Sequence, residues 1–150
     1  MEKTETKGFE ISKEETGLSE EEIKELIEGA IKGKEKAYAP YSNFHVGACI
    51  LTETGEKFSG CNVESASYGL TICAERTAVF KAVSEGFTKF KAISVISDAD
   101  SFTFPCGACR QVLVEFGDFV VLVLKSDKSV FFTTTYKLLP FHFGPSDLLK

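Results

Sequence analysis

Two short runs constrain this chain more than any other feature: Cys73-Ala74-Glu75-Arg76 and Pro105-Cys106-Gly107-Ala108-Cys109-Arg110. Each opens a segment that reads as a helix. After Cys73, the residues Ala74, Ala78, Val79, Ala82 and Val83 recur at helical spacing, and Gly86 stops the run. A second helix is expected from about Cys106 to Phe116, stopped by Gly117. Pro105 suits its entry, where a missing N–H costs nothing. Positions i and i+3 share a helix face, so Cys106 and Cys109 can grip one ion. Alone, that C-x-x-C fits a metal site or a redox pair. With Cys73 it makes three ligands, and a fourth tetrahedral position stays open for water, the mark of a catalytic zinc. A fold that uses all three thiols must bring two helix starts together.

The chemistry of such a site can be read from its neighbours. Three thiolates around Zn²⁺ sum to −1, which opposes ionisation of a bound water. Two helix N-termini oppose that charge with their partial positive ends. Arg76, and also Arg110, are candidate donors to the thiolates. Glu75 is too close in sequence to Cys73 to be a comfortable fourth ligand, but it can stand beside the activated water and move its proton. Each piece has a plainer reading. A first-turn Glu often serves only the helix dipole, and a single Cys is often a small core residue. The combination resembles the known signature of zinc deaminases in its three-cysteine form.

The chain of 150 residues suits one domain. Residues 1–18, rich in Glu, Lys and Thr, read as a mobile charged tail, and residues 19–150 as a single domain. Ser19 and Glu22 form a capping box, and Ile23, Leu26, Ile27, Ala30 and Ile31 mark an amphipathic helix ending between Gly33 and Tyr38. Strands are expected at Phe44–Thr52 and Lys57–Cys61, joined by a turn at Thr54-Gly55, then at 92–97, 119–124 and 130–134. Residues 62–71 read as a loop, and 147–150 as a short helical end. A hairpin followed by alternating helix and strand implies an α/β sheet covered by helices on both faces.

The net charge of −5, with no basic cluster outside the N-terminal region, argues against a nucleic-acid partner. No apolar run is long enough for a membrane span, and the start shows no signal-peptide pattern. The expected location is cytoplasmic. Five cysteines, an odd count, argue against a disulfide framework.

The chain resembles the small homotetrameric cytidine deaminases with three cysteine ligands. The resemblance runs from about Ala37 to Leu149. It rests on Tyr38-Ala39-Pro40-Tyr41-Ser42-Asn43-Phe44, Val46-Gly47-Ala48, Gly60-Cys61-Asn62-Val63-Glu64 and Ala66-Ser67-Tyr68-Gly69. The two cysteine runs, Leu138-Leu139-Pro140 and Phe143-Gly144-Pro145 complete it. It implies a three-layer α/β/α sandwich with a mixed five-stranded sheet, one zinc per subunit on Cys73, Cys106 and Cys109, and Glu75 as proton shuttle. It further implies that Asn62 and Glu64, with Val63 between them, bind the ribose. Phe44 would pack on the pyrimidine, and the Ala74 N–H would contact the base carbonyl. Tyr68 and Phe143 would reach a neighbouring subunit's site in a homotetramer. The implied reaction is hydrolytic deamination of cytidine and deoxycytidine, in pyrimidine salvage, by zinc-activated water. Without the resemblance, Phe44 and Phe143 would read as packing residues and Asn62 as a turn residue.

Two other readings stand beside this one. The substrate could be a modified cytosine nucleoside or a base within a polynucleotide. The chain could instead be a non-catalytic zinc protein, with Cys49 or Cys61 closing a four-ligand site.

Overall fold

The computed structural model describes residues 7–149. Its five strands are β1 (Val46–Thr52), β2 (Lys57–Cys61), β3 (Phe90–Ser97), β4 (Val120–Leu124) and β5 (Val130–Thr134). Its α-helices are α1 (Glu20–Glu35), α2 (Ala74–Ser84), α3 (Gly107–Val114), α4 (Thr135–Leu138) and α5 (Pro145–Leu148). Short 3-10 turns occur at Glu14–Thr16 and Tyr68–Leu70.

The strands form one mixed sheet in the order β2-β1-β3-β4-β5. β1 is antiparallel to both β2 and β3, with Ala48 opposite Gly60 on one side and Val95 on the other. β3 and β4 are parallel, and β4 and β5 antiparallel. It follows that β2 and β3 run in the same direction. Each is followed by a helix, α2 after β2 and α3 after β3, and both helices pack on the same face. Their N-termini therefore meet at one end of the sheet, beyond the carboxyl ends of two parallel strands. In open α/β sheets this is where ligands bind.

The alternation of side chains along each strand divides the core in two. On one face Leu26, Ala30 and Ile23 of α1 cover Cys49, Leu51, Ala92, Ile96, Leu122 and Leu124. On the other, Ala74, Ala78 and Ala82 of α2 and Leu113 of α3 cover Ala48, Ile50, Ile93, Val95, Val121 and Val123. The expected three-layer sandwich is thus present. Ser19 and Glu22 make the reciprocal capping bonds at the start of α1, at 3.1 and 2.9 Å. Gly47 lets α1 lie directly on β1, since a Cβ there would overlap the carbonyl oxygen of Ala30 and the backbone of Lys34.

Residues 1–6 of the expected mobile tail lie outside the described residues. Residues 8–18 are joined to the sheet by specific bonds. The Ile11 N–H donates to Phe132 O at 2.8 Å, Thr133 Oγ1 donates to Phe9 O at 2.6 Å, and Lys137 Nζ donates to Gly8 O at 3.1 Å. Thr16 is buried, and Leu18 packs beside the α1 cluster.

Several boundaries differ from the sequence reading. β1 begins at Val46 rather than Phe44, because Asn43 takes a positive φ of 56° and the chain turns into the strand only after it. β3 begins at Phe90, whose ring packs edge-on against Phe116 and Phe119. α3 ends at Val114, and Cys73 and Cys106 stand as N-caps just outside α2 and α3. The last helix spans Pro145–Leu148, earlier than the expected 147–150.

Candidate active site

The sulfur atoms of Cys73, Cys106 and Cys109 lie within 4.8 Å of one another. Cys73 Sγ and Cys106 Sγ are 3.7 Å apart. Among the described residues this is the group of ligand side chains close enough to hold a metal ion. Cys109 is buried, Cys73 half-buried and Cys106 exposed, so the cluster has a covered side and an open side. Cys73 and Cys106 belong to the two converging helix starts, and Cys109 lies one turn into α3.

The electrostatics of the cluster suit a dication. A hydrogen bond from the Cys109 thiol pulls Cys73 down to about 5, against its burial and with help from Arg76 and Cys106. The same bond, then burial, pushes Cys109 up, because Cys109 must keep its proton to donate it. Cys73 thus favours the thiolate, while a cation is needed to draw the proton from Cys109. Arg76 Nη2 donates to Cys73 Sγ at 3.4 Å, while Arg76 Nε is buried without a partner. The thiolates in turn raise the Arg76 pKa further above its ordinary value, so its charge is permanent. Arg110, the other candidate donor, is used elsewhere. Its Nε donates to Pro105 O at 2.7 Å and its Nη1 to Leu138 O at 3.0 Å, which ties the α3 entry to α4.

Neither remaining cysteine joins the cluster. Cys49 packs in the core under α1, on the opposite face of the sheet, and Cys61 Sγ donates to Lys36 O at 3.5 Å. Three thiolates with an open fourth position match the donor set of a catalytic zinc. A closed four-cysteine site has no fourth ligand here.

Glu75 lies in the first turn of α2 and is 4% exposed. Burial pushes its carboxyl up to about 7, and the nearby Cys73 charge adds to this. A carboxyl in this state exchanges protons in both directions near neutral pH. Ala74, beside it, is fully buried, and its N–H belongs to the first turn of α2, where backbone donors have no partner within the helix.

The sugar-binding candidates are placed around a loop. Asn62 is buried, and its amide spans the approach to β1: Nδ2 donates to Phe44 O at 2.8 Å and Oδ1 accepts from Val46 N at 2.9 Å. One N–H of that amide is left for another partner. Val63 pairs through its backbone with Ile72, at 2.9 and 3.0 Å. The Glu64 carboxylate accepts from Tyr41 N at 3.0 Å, Ser42 N at 3.2 Å and the Ser42 hydroxyl, and these bonds hold its pKa below the usual range. Ser42 Oγ accepts from Phe44 N at 3.0 Å. Asn62 and Glu64 therefore both fix the loop that presents Phe44, a residue that is 42% exposed.

Glu64 and Tyr68 line one cleft of about 340 Å³ with Tyr41, Ser42, Ser65 and Thr71. Tyr68 is 75% exposed and its ring lies 6.1 Å from that of Tyr41. Phe143 lies apart from these, in a second cleft with Gln111, Gly144, Pro145 and Leu148, and its carbonyl accepts from Gln111 Nε2 at 2.7 Å. Tyr41, Ser42 and Thr71 had no role in the sequence reading. The signal was present in Pro40-Tyr41-Ser42-Asn43, but small polar loop residues announce a partner only once the carboxylate is seen against them.

Residues 20–125 match the family described as the cytidine and deoxycytidylate deaminase zinc-binding region. A probable cytidine deaminase of Dictyostelium discoideum is 53% identical over 133 residues, covering 88% of this chain and 90% of that one. A cytidine deaminase of Sporosarcina psychrophila is 46% identical over 129 residues, covering 85% and 95%. The crystal structure of cytidine deaminase from Burkholderia pseudomallei superposes with a TM-score of 0.78 at 46% identity, covering 84% of this chain and all of that one. The joined helix starts, the three thiols and these likenesses agree: the chain belongs to the cytidine deaminase family of zinc-dependent hydrolytic deaminases.

Proposed function

We propose that the chain deaminates cytidine and deoxycytidine to uridine and deoxyuridine, with water consumed and ammonia released. The observation that carries this reading is the buried Glu75 carboxyl beside three convergent thiols. Bound by Cys73, Cys106 and Cys109, zinc would supply the Lewis acidity that makes a water nucleophilic near neutral pH. Glu75 takes the proton of that water and delivers it to N3 of the ring. It later carries a proton to the departing amino group. The Ala74 N–H, at the positive end of α2, donates to the base carbonyl. Phe44 offers its exposed face to the pyrimidine. Arg76 offsets the negative charge of the thiolates.

The ribose would meet the free N–H of Asn62 and the carboxylate of Glu64, which exchanges its Ser42 bond for a sugar hydroxyl. The backbone of Val63 holds these two apart. The exposed rings of Tyr68 and Phe143 favour a homotetramer in which each completes a neighbour's site. Free nucleosides, rather than polynucleotides, fit the acidic charge of the chain. A place in cytoplasmic pyrimidine salvage follows from that substrate. Residues 19–150 act as the single catalytic domain in this reading.

The test is the ultraviolet spectrum of cytidine over time with purified protein, beside Glu75→Gln, with zinc content measured for both. The wild type converts cytidine, and the variant retains zinc while losing about 10²–10⁴ in rate. Conversion by the variant at the wild-type rate would remove Glu75 from the chemistry. A zinc-loaded wild type that leaves cytidine intact would redirect the search to a modified cytosine nucleoside.

A further inference from the structure

We propose that a cleft between the end of α1, strand β2 and helix α2 is a binding site for a phosphate group or short polyphosphate. The cleft holds about 200 Å³ and is lined by Lys32, Lys36, Ser59, Cys61, Thr77 and Lys81, together with two glycines. No carboxylate lines it. In a chain of net charge −5, three lysines from the C-terminal ends of two helices line one concavity. None of the three takes part in the ion pairs found among the described residues. The contrast with the cleft over the outer side of α1 is direct, since there Lys24 and Lys128 are matched by Glu20 and Glu28.

Two ordinary explanations account for part of this arrangement only. The C-terminal ends of α1 and α2 favour cations through their dipoles, which accounts for lysines at both helix ends but not for the absence of any carboxylate from the cleft they share. Lysines also guard exposed strand edges, and β2 is an edge. That role belongs to side chains of the edge strand itself, such as Lys57, which is already paired with Glu25 at 2.8 Å.

The chemistry of the lining selects the ligand. Ser59 Oγ donates to Gly29 O at 2.8 Å, and Thr77 Oγ1 donates to Cys73 O at 3.2 Å, so both hydroxyl protons are committed. Lys81 Nζ is anchored on Ser59 O. Recognition rests on charge, and a multiply charged oxyanion answers it. No aromatic ring lines the cleft. Its volume falls below the range of about 300–1,000 Å³ usual for drug-sized ligands. A phosphate chain fits this better than a base or sugar. None of the three clustered thiols lines this cleft, and the proposal does not depend on the reaction proposed above.

The experiment is calorimetric titration of the zinc-loaded protein at low salt with inorganic phosphate, with tripolyphosphate and with a nucleoside 5′-triphosphate. The proteins are the wild type, Lys32→Ala/Lys36→Ala, and Lys24→Ala as a control of equal charge change per site elsewhere on α1. Tripolyphosphate carries no base, so it does not report on the nucleoside cleft. The expected result is saturable binding to the wild type and Lys24→Ala, weakened roughly tenfold or more in the double variant. Binding of inorganic phosphate as well would identify the free ion as sufficient. Binding of the two polyphosphates alone would identify the chain of a nucleotide. Absence of binding at millimolar concentrations, or equal binding by the double variant, would overturn the proposal.

Discussion

The sheet has two faces built from the same strands, and they differ in what their helices bring to them. Under α1 the contact is mainly apolar, from Ile23 and Leu26 to Leu122 and Leu124, with the hydroxyls of Ser94 and Ser59 donating to the carbonyls of Leu26 and Gly29, and the helix is closed by its own capping box. Under α2 and α3 the apolar core runs up to Ala74 and Leu113 and then meets Glu75, Cys73 and Cys109. One face supplies support and the other carries titratable groups at the helix starts. A site of this kind needs a rigid backing, since its polar groups are held out of water at a cost that packing must offset.

The comparison predicts that damage on the α1 face lowers stability while the chemistry of each folded molecule survives. The largest effect belongs to Leu26→Ala, which empties a fully buried position and should cost about 2–5 kcal/mol. Urea unfolding measures this, and kcat at a temperature where the variant remains folded should match the wild type. A large fall in kcat would mean the two faces are not independent. Arg76→Ala should do the reverse. It removes the donor to Cys73, and loss of such outer partners lowers metal affinity or activity by about 10–100-fold. Zinc competition with a chromophoric chelator reports it, and unchanged affinity and rate together would make Arg76 a bystander. Ser19→Ala comes next. Losing the cap should cost about 1 kcal/mol, visible as a lower melting temperature with normal zinc content.

The smallest effect links the two faces at their rim. Asp98 accepts from the His45 backbone at 2.9 Å and pairs with Lys34 of α1 at 3.2 Å, and these bonds hold its pKa at about 2, the His45 N–H foremost. A carboxyl lowered from about 3.9 in the unfolded chain stabilises the fold above that value. The contribution fades as the pH falls from near 4 through about 2. The side chain is 40% exposed, so solvent and salt reduce the benefit. Asp98→Asn should therefore show its full, small loss of stability at pH 7, and that deficit should disappear as the pH falls from near 4 through about 2, which flattens the acid limb in that window. An acid limb of unchanged slope would assign the acid sensitivity to other carboxyls.

Much of this was legible in the residues. Ser19 and Glu22 announced the start of α1, and the cysteine runs announced both helix starts, because capping and metal binding require fixed residue types at fixed spacing. The hairpin of β1 and β2 followed from two strand-like runs on either side of the Thr54-Gly55 turn. Other features left no such mark. The four-residue α4 is too short for a periodicity. The seat of residues 8–18 on β5 is made largely by backbone groups, such as Ile11 N with Phe132 O, which any sequence possesses. The amide of Asn62 and the carboxylate of Glu64 bind loop backbone from more than a dozen positions away. Spacing alone cannot report such partners, and it left Arg110 facing the wrong neighbours until Leu138 was seen beside it.

The same N-terminal segment has a consequence for the order of events when the chain is made. The bond from Thr133 to Phe9 O spans 124 positions, so this segment has nowhere to dock when it leaves the ribosome and must wait until β5 has followed it. The entropy of closing so long a loop is met only after the intervening sheet has drawn the two ends together. Residues 8–18 are thus synthesised well before they settle. Until they do, the outer edge of β5 stands open to a strand from another nascent copy.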